Sequence, residues 1–229
     1  MTDKNQRSDI IDLLRVIAIL LMIFFHTTFD LGIFGFNHIN FYEEPFWFWL
    51  PRLIVALFLT SVGASLVFTY NRELNLQKFL KRQSKLIFFS ICVSLMTYIF
   101  FKSNWIYFGT LHCITVTSFI GILFIHRPSL SLVLSLCIFI IMLVFKWDTS
   151  TLSALYPIKS MDFIPPYPWM AWVWFGIFLG HRSWIKRPLN FKRFRPMLNF
   201  LSRHSLGIYL IHQPILFSAI YLFSLTRKI

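Results

Sequence analysis

Long apolar runs, spaced along the whole chain and separated by short basic stretches, constrain this sequence more than any other feature. About 20 apolar residues cross the roughly 30 Å hydrocarbon layer of a bilayer as a helix. Such runs fall at about Ile10–Thr27, Phe46–Tyr70, Leu86–Phe101, Thr110–Ile125, Leu130–Phe145, Trp169–Gly180 and Ser205–Leu225. The expected fold is therefore an all-α, polytopic transmembrane helical bundle of about seven spans. With 57% hydrophobic and only 14% charged residues, against about 25% charged in soluble domains, the chain has more apolar surface than a soluble fold can hide. No internal repeat or low-complexity linker divides it, so residues 1–229 are expected to form one domain.

The break at His126, Arg127, Pro128 and Ser129 reads as a tight hairpin between the fourth and fifth spans. The sixth run is short and is expected to extend or tilt. The first run follows Asp9 and Asp12, is bulky throughout and shows no small-x-small cleavage pattern, so it reads as a span and not as a removed leader.

The net charge of +13 finds its explanation in topology. With the N-terminus in the cytoplasm, sixteen of the 22 Lys and Arg fall on the inner side: Lys4, Arg7, Arg15, Arg72, Lys78, Lys81, Arg82, Lys85, Arg127, Arg182, Lys186, Arg187, Lys192, Arg193, Arg195 and Arg203. That asymmetry is the positive-inside rule. It places the chain in the cell membrane and removes the need for a nucleic acid partner, since no basic segment is interleaved with base-stacking aromatics. Cys92, Cys113 and Cys137 lie inside apolar runs with no metal or disulfide spacing, and they read as small core residues.

An ionisable side chain in hydrocarbon costs about 2.5–3.5 kcal/mol on insertion scales, so each one needs a partner, water or a function. The first span carries the densest set. At about 100° per residue, Asp12, Arg15, His26 and Asp30 project within an arc of about 60°, with Ile19 and Met22 along the same stripe. Arg15 lies about 16 Å from His26 along the axis. Asp30, one turn beyond His26, is in reach to accept a hydrogen bond from the imidazole, fixing its tautomer and leaving the other nitrogen as a base. The competing reading has Arg15 snorkelling to the interface and His26 and Asp30 capping the span.

His112 near the outer end of the fourth span and His212 in the seventh lie at comparable depth. On the last span Ser205, Tyr209 and His212 share a face, followed by Gln213 and Pro214. Side chains of this kind also serve as interhelical hydrogen-bond glue. Arg52, near the outer end of the second span, calls for an acidic partner among Asp30, Glu43, Glu44 and Asp162. Ser61, Gly63, Ala64 and Ser65, with Gly176 and Gly180, permit close helix approach; packing is their expected role, with a narrow acyl path as the alternative.

These residues resemble a known family. Asp12-Leu-Leu-Arg15-Val-Ile-Ala-Ile, followed after ten intervening residues by His26, is similar to the Arg-x(10)-His signature of the membrane acyltransferase superfamily. His26-Thr-Thr-Phe-Asp30-Leu, Gly-Thr-Leu-His112-Cys-Ile, Asp162-Phe-Ile-Pro-Pro-Tyr-Pro-Trp and Ser205-Leu-Gly-Ile-Tyr-Leu-Ile-His212-Gln-Pro narrow the resemblance to bacterial members of the heparan-α-glucosaminide N-acetyltransferase catalytic-domain family. It runs from about Asp9 to Leu222, with four motifs in order. It implies transfer of an acyl group from cytosolic acyl-coenzyme A, with acetyl-coenzyme A the leading donor, to a sugar or other small acceptor at the far side of the membrane. The lysosomal enzymes carry a large luminal segment ahead of these spans and further spans after them, so their glucosaminide acceptor is not expected to carry over.

On this reading His26 is the general base or a transient acyl carrier, and Asp30 orients it. Arg15 binds the coenzyme A phosphates, while Arg52, His112, Asp162 and His212 bind the acceptor or its developing oxyanion. No metal is expected. The main rival is a non-catalytic transporter or flippase using His26, Asp30 and Arg52 as an intramembrane polar site, but paired broken helices in an inverted repeat are missing. A zinc site from His26, Asp30, His112 and His212 would use suitable ligand types, without a supporting motif.

Overall fold

The computed structural model describes residues 8–145, 160–189 and 193–226. Among the charges assigned to the inner side, Lys4, Arg7 and Lys192 lie outside the described residues. All regular structure among the described residues is helical: α1 (Asp9–Ile33), α2 (Pro45–Tyr70), α3 (Leu76–Phe100), α4 (Thr110–Gly121) running into a 3-10 turn (Ile122–Phe124), α5 (Pro128–Phe145), α6 (Pro166–Gly180), α7 (Arg195–Arg203) and α8 (Ser205–Thr226). A helix lies at each of the seven apolar runs. Five of them, α1, α2, α3, α5 and α8, are long and apolar enough to cross a membrane. The other two, Thr110–Phe124 and α6, are shorter, at 15 residues for α6.

Three boundaries differ from the sequence reading. Helix α1 continues past Thr27 because its polar last turns are satisfied: Thr27 and Thr28 hydroxyls donate back to the Ile23 and Phe24 carbonyls at 2.7 and 3.0 Å. It stops where Gly35, at φ 77°, takes the left-handed conformation, with Phe36 N–H bonded to Leu31 O and Gly35 N–H to Gly32 O. Helix α3 begins ten residues before the apolar run, capped by Asn75, whose side chain accepts from Lys78 N–H at 2.9 Å. The stretch Lys78–Lys85, expected as loop, is thus its basic first turns. Helix α7, wholly missed, is amphipathic: Leu198 and Ser202 are buried while Phe194, Met197 and Phe200 are exposed.

The chain divides into two compact units. The central one is formed by Leu59–Arg187 with Ser8, whose hydroxyl donates to Ile185 O. Within it α4 lies against α3 and α6, and α5 against α6, where the Phe139 and Trp172 rings stand 4.9 Å apart. The second half of α2 meets α6 backbone to backbone. A Cβ added at Gly63 would run into the Val173 carbonyl, and one at Gly176 into the Thr60 carbonyl. Close packing is therefore what these small residues do.

The other unit comprises Asp9–Phe58 and Pro188–Ile229. Here α1 packs against α7 and α8. Ala18, Ile19 and Met22 form its core with Leu50, Ile54 and Phe58 from the first half of α2, and Ile208 and Tyr209 of α8 pack on that cluster. The predicted stripe is the face that goes inward: Asp12, Ile19, Met22 and Asp30 are all buried.

Candidate active site

At the start of α1 the polar stripe is tied to α7 and the segment before it. Asp9 accepts from Leu189 N–H at 3.1 Å and pairs with Arg195 at 3.2 Å. Asp12, 4% exposed, accepts from the Ser202 hydroxyl at 2.6 Å, and Arg15 donates to that same hydroxyl at 3.2 Å. The Arg15 guanidinium is 4.0 Å from Asp12 and its side chain keeps 22% exposure, so it is both anchored and reachable.

Farther along the same face α1 meets α8, and two imidazoles come together. The rings of His26 and His212 are 5.0 Å apart, centroid to centroid, inclined at 60°. His212 Nδ1 lies 2.7 Å from Tyr209 O. A carbonyl only accepts, so Nδ1 carries the hydrogen, and in the neutral ring Nε2 is a bare acceptor. Nε2 of His212 and Nδ1 of His26 are both buried and without a hydrogen-bond partner among the described residues.

The expected hydrogen bond from His26 to Asp30 is not formed. Asp30, at 0% exposure, instead accepts the Gln213 side-chain amide on both oxygens, at 2.9 and 3.2 Å. Helical spacing reveals neighbours on one helix only, and it is the partner across the interface that claims the carboxylate. Gln213, next to His212 and ahead of Pro214, was the available signal. Arg52 makes contacts within its own helix: its guanidinium lies 3.5 Å over the Phe48 ring and donates to Phe48 O.

His112 and Asp162 belong to the central unit, and each has local partners. His112 Nδ1 accepts from Gly109 N–H at 3.2 Å, which leaves Nε2 as the N–H that donates to Ser94 Oγ, also at 3.2 Å; Ser94 in turn donates to Ile106 O. Asp162, in the segment before α6, accepts from the Thr110 backbone N–H and hydroxyl, both at 3.1 Å. Burial raises its carboxyl above the ordinary value, and the two Thr110 bonds pull it back down. Both residues thus organise the start of α4. Among the described residues no three or more His, Cys, Asp or Glu side chains gather as a metal group.

Apolar helices of membrane-spanning length, one of them holding a buried carboxylate and a histidine turned toward a second histidine, define a polytopic membrane protein with a polar centre inside its helices. Within that class the family is shown by sequence comparison. The chain belongs to the family described as heparan-alpha-glucosaminide N-acetyltransferase, catalytic, whose profile matches residues 7–214. The match includes Arg15, His26, Asp30 and His212. Neither a curated protein nor a solved structure matches the chain.

Proposed function

We propose that this protein transfers an acetyl group from acetyl-coenzyme A to an amine or hydroxyl of a sugar or other small acceptor at or across the cell membrane. The observation that carries the reading is the His26–His212 pair, with two ring nitrogens buried and unpartnered among the described residues, in a chain of an acetyltransferase family. A buried imidazole nitrogen with no partner among the described residues is suited to receive a proton from a reacting group.

His26 takes the proton of the attacking amine or hydroxyl as a bond forms from that atom to the thioester carbonyl carbon. As the carbon–sulfur bond breaks, the electron pair leaves on sulfur, and the proton held by His26 passes to the coenzyme A thiolate. Arg15, beside Asp12 and Ser202, offers the phosphates of coenzyme A a partly exposed cation. Asp30 acts through Gln213, which it holds beside His212. His112 and Asp162 shape the α4 terminus, and Arg52 remains the cation nearest the outer end of α2 for the acceptor.

The same reading counts all seven apolar helices as spans, puts the N-terminus in the cytoplasm on the strength of the basic loops, and takes residues 1–229 as one domain, since the family match runs through both compact units. The test is direct. Purified protein in lipid, given acetyl-coenzyme A labelled in the acetyl group together with candidate amines and sugars, should move label to the acceptor and release free coenzyme A. Transport of an intact acceptor with no label transfer would favour a transporter instead.

A further inference from the structure

The direction of the hydrogen bonds around Asp30 says what kind of molecule this site receives. Asp30 is fully buried, and a carboxylate only accepts, so the Gln213 amide must turn its NH2 toward it, as the distances of 2.9 and 3.2 Å show. That choice fixes the sense of the amide. Oε1 of Gln213 is left buried with no partner among the described residues. At His212, one residue before Gln213, the Tyr209 carbonyl holds the ring hydrogen on Nδ1, and Nε2 is left in the same condition. Two adjacent residues of α8 therefore present two acceptors and no donor, with the His26 ring beside His212.

An acyl carbonyl or an oxyanion, which can only accept, gains nothing from such a pair. A molecule that donates hydrogens gains a bond at each atom, and each bond relieves a buried acceptor that costs free energy while unmade. We propose that Gln213 is a specificity-determining residue and that, with His212, it selects an acceptor bearing two neighbouring hydrogen-bond donors: the attacking amine or hydroxyl, and a second hydroxyl beside it. The attacking group lies against the His26–His212 pair and donates to an imidazole nitrogen there, and the neighbouring hydroxyl donates its one hydrogen to Gln213 Oε1. Asp30 is the positioning residue that keeps the Gln213 amide from turning over. This inference rests on the acyl-transfer reading for the identity of the ligand, and on the hydrogen-bond geometry alone for its chemistry.

The test uses the full chain in detergent without any acyl donor. Cyclohexanol and trans-1,2-cyclohexanediol, nearly equal in shape and differing by one donor, are titrated against protein labelled with 15N-histidine. The His212 signal is assigned by its loss in His212→Asn. The diol should bind about tenfold more tightly than the mono-alcohol, as one added bond to a buried acceptor implies, and should shift the Nε2 resonance. Gln213→Met should bring the two alcohols to equal affinity. Should that variant fail to fold, Asp30→Asn takes its place: with an amide facing an amide, the sense of Gln213 is no longer fixed and the preference should shrink. Equal binding of both alcohols by the unmodified protein, binding of neither, or a preference that survives these substitutions would overturn the proposal. Label transfer from acetyl-coenzyme A is measured separately. Protein that discriminates the diol yet transfers no acetyl keeps this site and loses the acyltransferase reading; protein that transfers but does not discriminate does the reverse.

Discussion

His26 and His212 face each other at 5.0 Å from opposite helices of one compact unit, and only one of the two has its tautomer fixed by the backbone. The asymmetry separates their roles. Replacing His26 by Ala should lower kcat by about 10²- to 10⁴-fold, the usual contribution of a positioned base, while coenzyme A binding and folding persist. Replacing His212 by Ala should act mainly on KM for the acceptor. Steady-state kinetics on both variants, with coenzyme A affinity measured alongside, would show it. A folded His26→Ala protein with normal turnover would end the mechanism.

The Arg15–Ser202–Asp12 cluster allows ligand binding to be separated from stability. Arg15→Ala should weaken coenzyme A binding, and the loss should shrink as salt is added because the guanidinium is partly exposed. Ser202→Ala removes a hydroxyl donor from buried Asp12, at a cost of about 1.5–3 kcal/mol for a hydrogen bond to a charged group. Its thermal stability should fall while its coenzyme A affinity holds. If the two substitutions have the same effect on binding, Arg15 acts only through the packing of α7.

Glu43 and Glu73 are exposed ahead of α2 and ahead of α3, and they should lie on opposite sides of the membrane. With Cys92, Cys113 and Cys137 replaced by Ser or Ala, a membrane-impermeant thiol reagent applied to intact cells should label Glu43→Cys and spare Glu73→Cys. Equal labelling would remove α2 as a span. A site before α3 is the informative one, because α3 already includes Lys85 and a probe there would interrupt the helix.

For Asp162 the pH dependence has a definite sign. Its carboxyl is raised above the ordinary value by burial, against the pull of Thr110. A carboxyl that holds its proton more tightly in the folded chain favours folding at low pH, and that contribution is lost as pH rises through the raised folded value. Asp162→Asn cannot ionise, so its melting temperature should gain on the unmodified protein as pH rises through the acidic range. A difference that stays constant with pH would show that Asp162 titrates alike in both states.

How much of this was readable beforehand follows the kind of information a sequence holds. Period and composition located the helices at the apolar runs and the inward stripe of α1, because both depend on residues along one helix. The early start of α3 was hidden by its lysines, which suggested a loop although Asn75 supplies a cap. Helix α7 escaped because nine residues, with Met197 and Phe200 exposed among them, look like neither a span nor a hairpin. Of the candidate site, His26, Asp30 and His212 stood out as costly residues, but the pairing of Asp30 with Gln213 depends on how α1 and α8 meet. His112 looked like a ligand-binding residue, and its engagement with Gly109 and Ser94 appears only once the turn before α4 is formed.

The crossing of α2 and α6 at Gly63 and Gly176 bears on how this chain can change over generations. Any single-base change in a glycine codon that alters the amino acid installs a Cβ, and at these two positions that atom has no room beside the Val173 and Thr60 carbonyls. Neither site has a tolerated neighbour in the genetic code, so a lineage cannot drift away from either glycine one mutation at a time. Variation between descendants of this gene should therefore accumulate on the other faces of these helices, and missense alleles at the two glycine codons should be lost through misfolding.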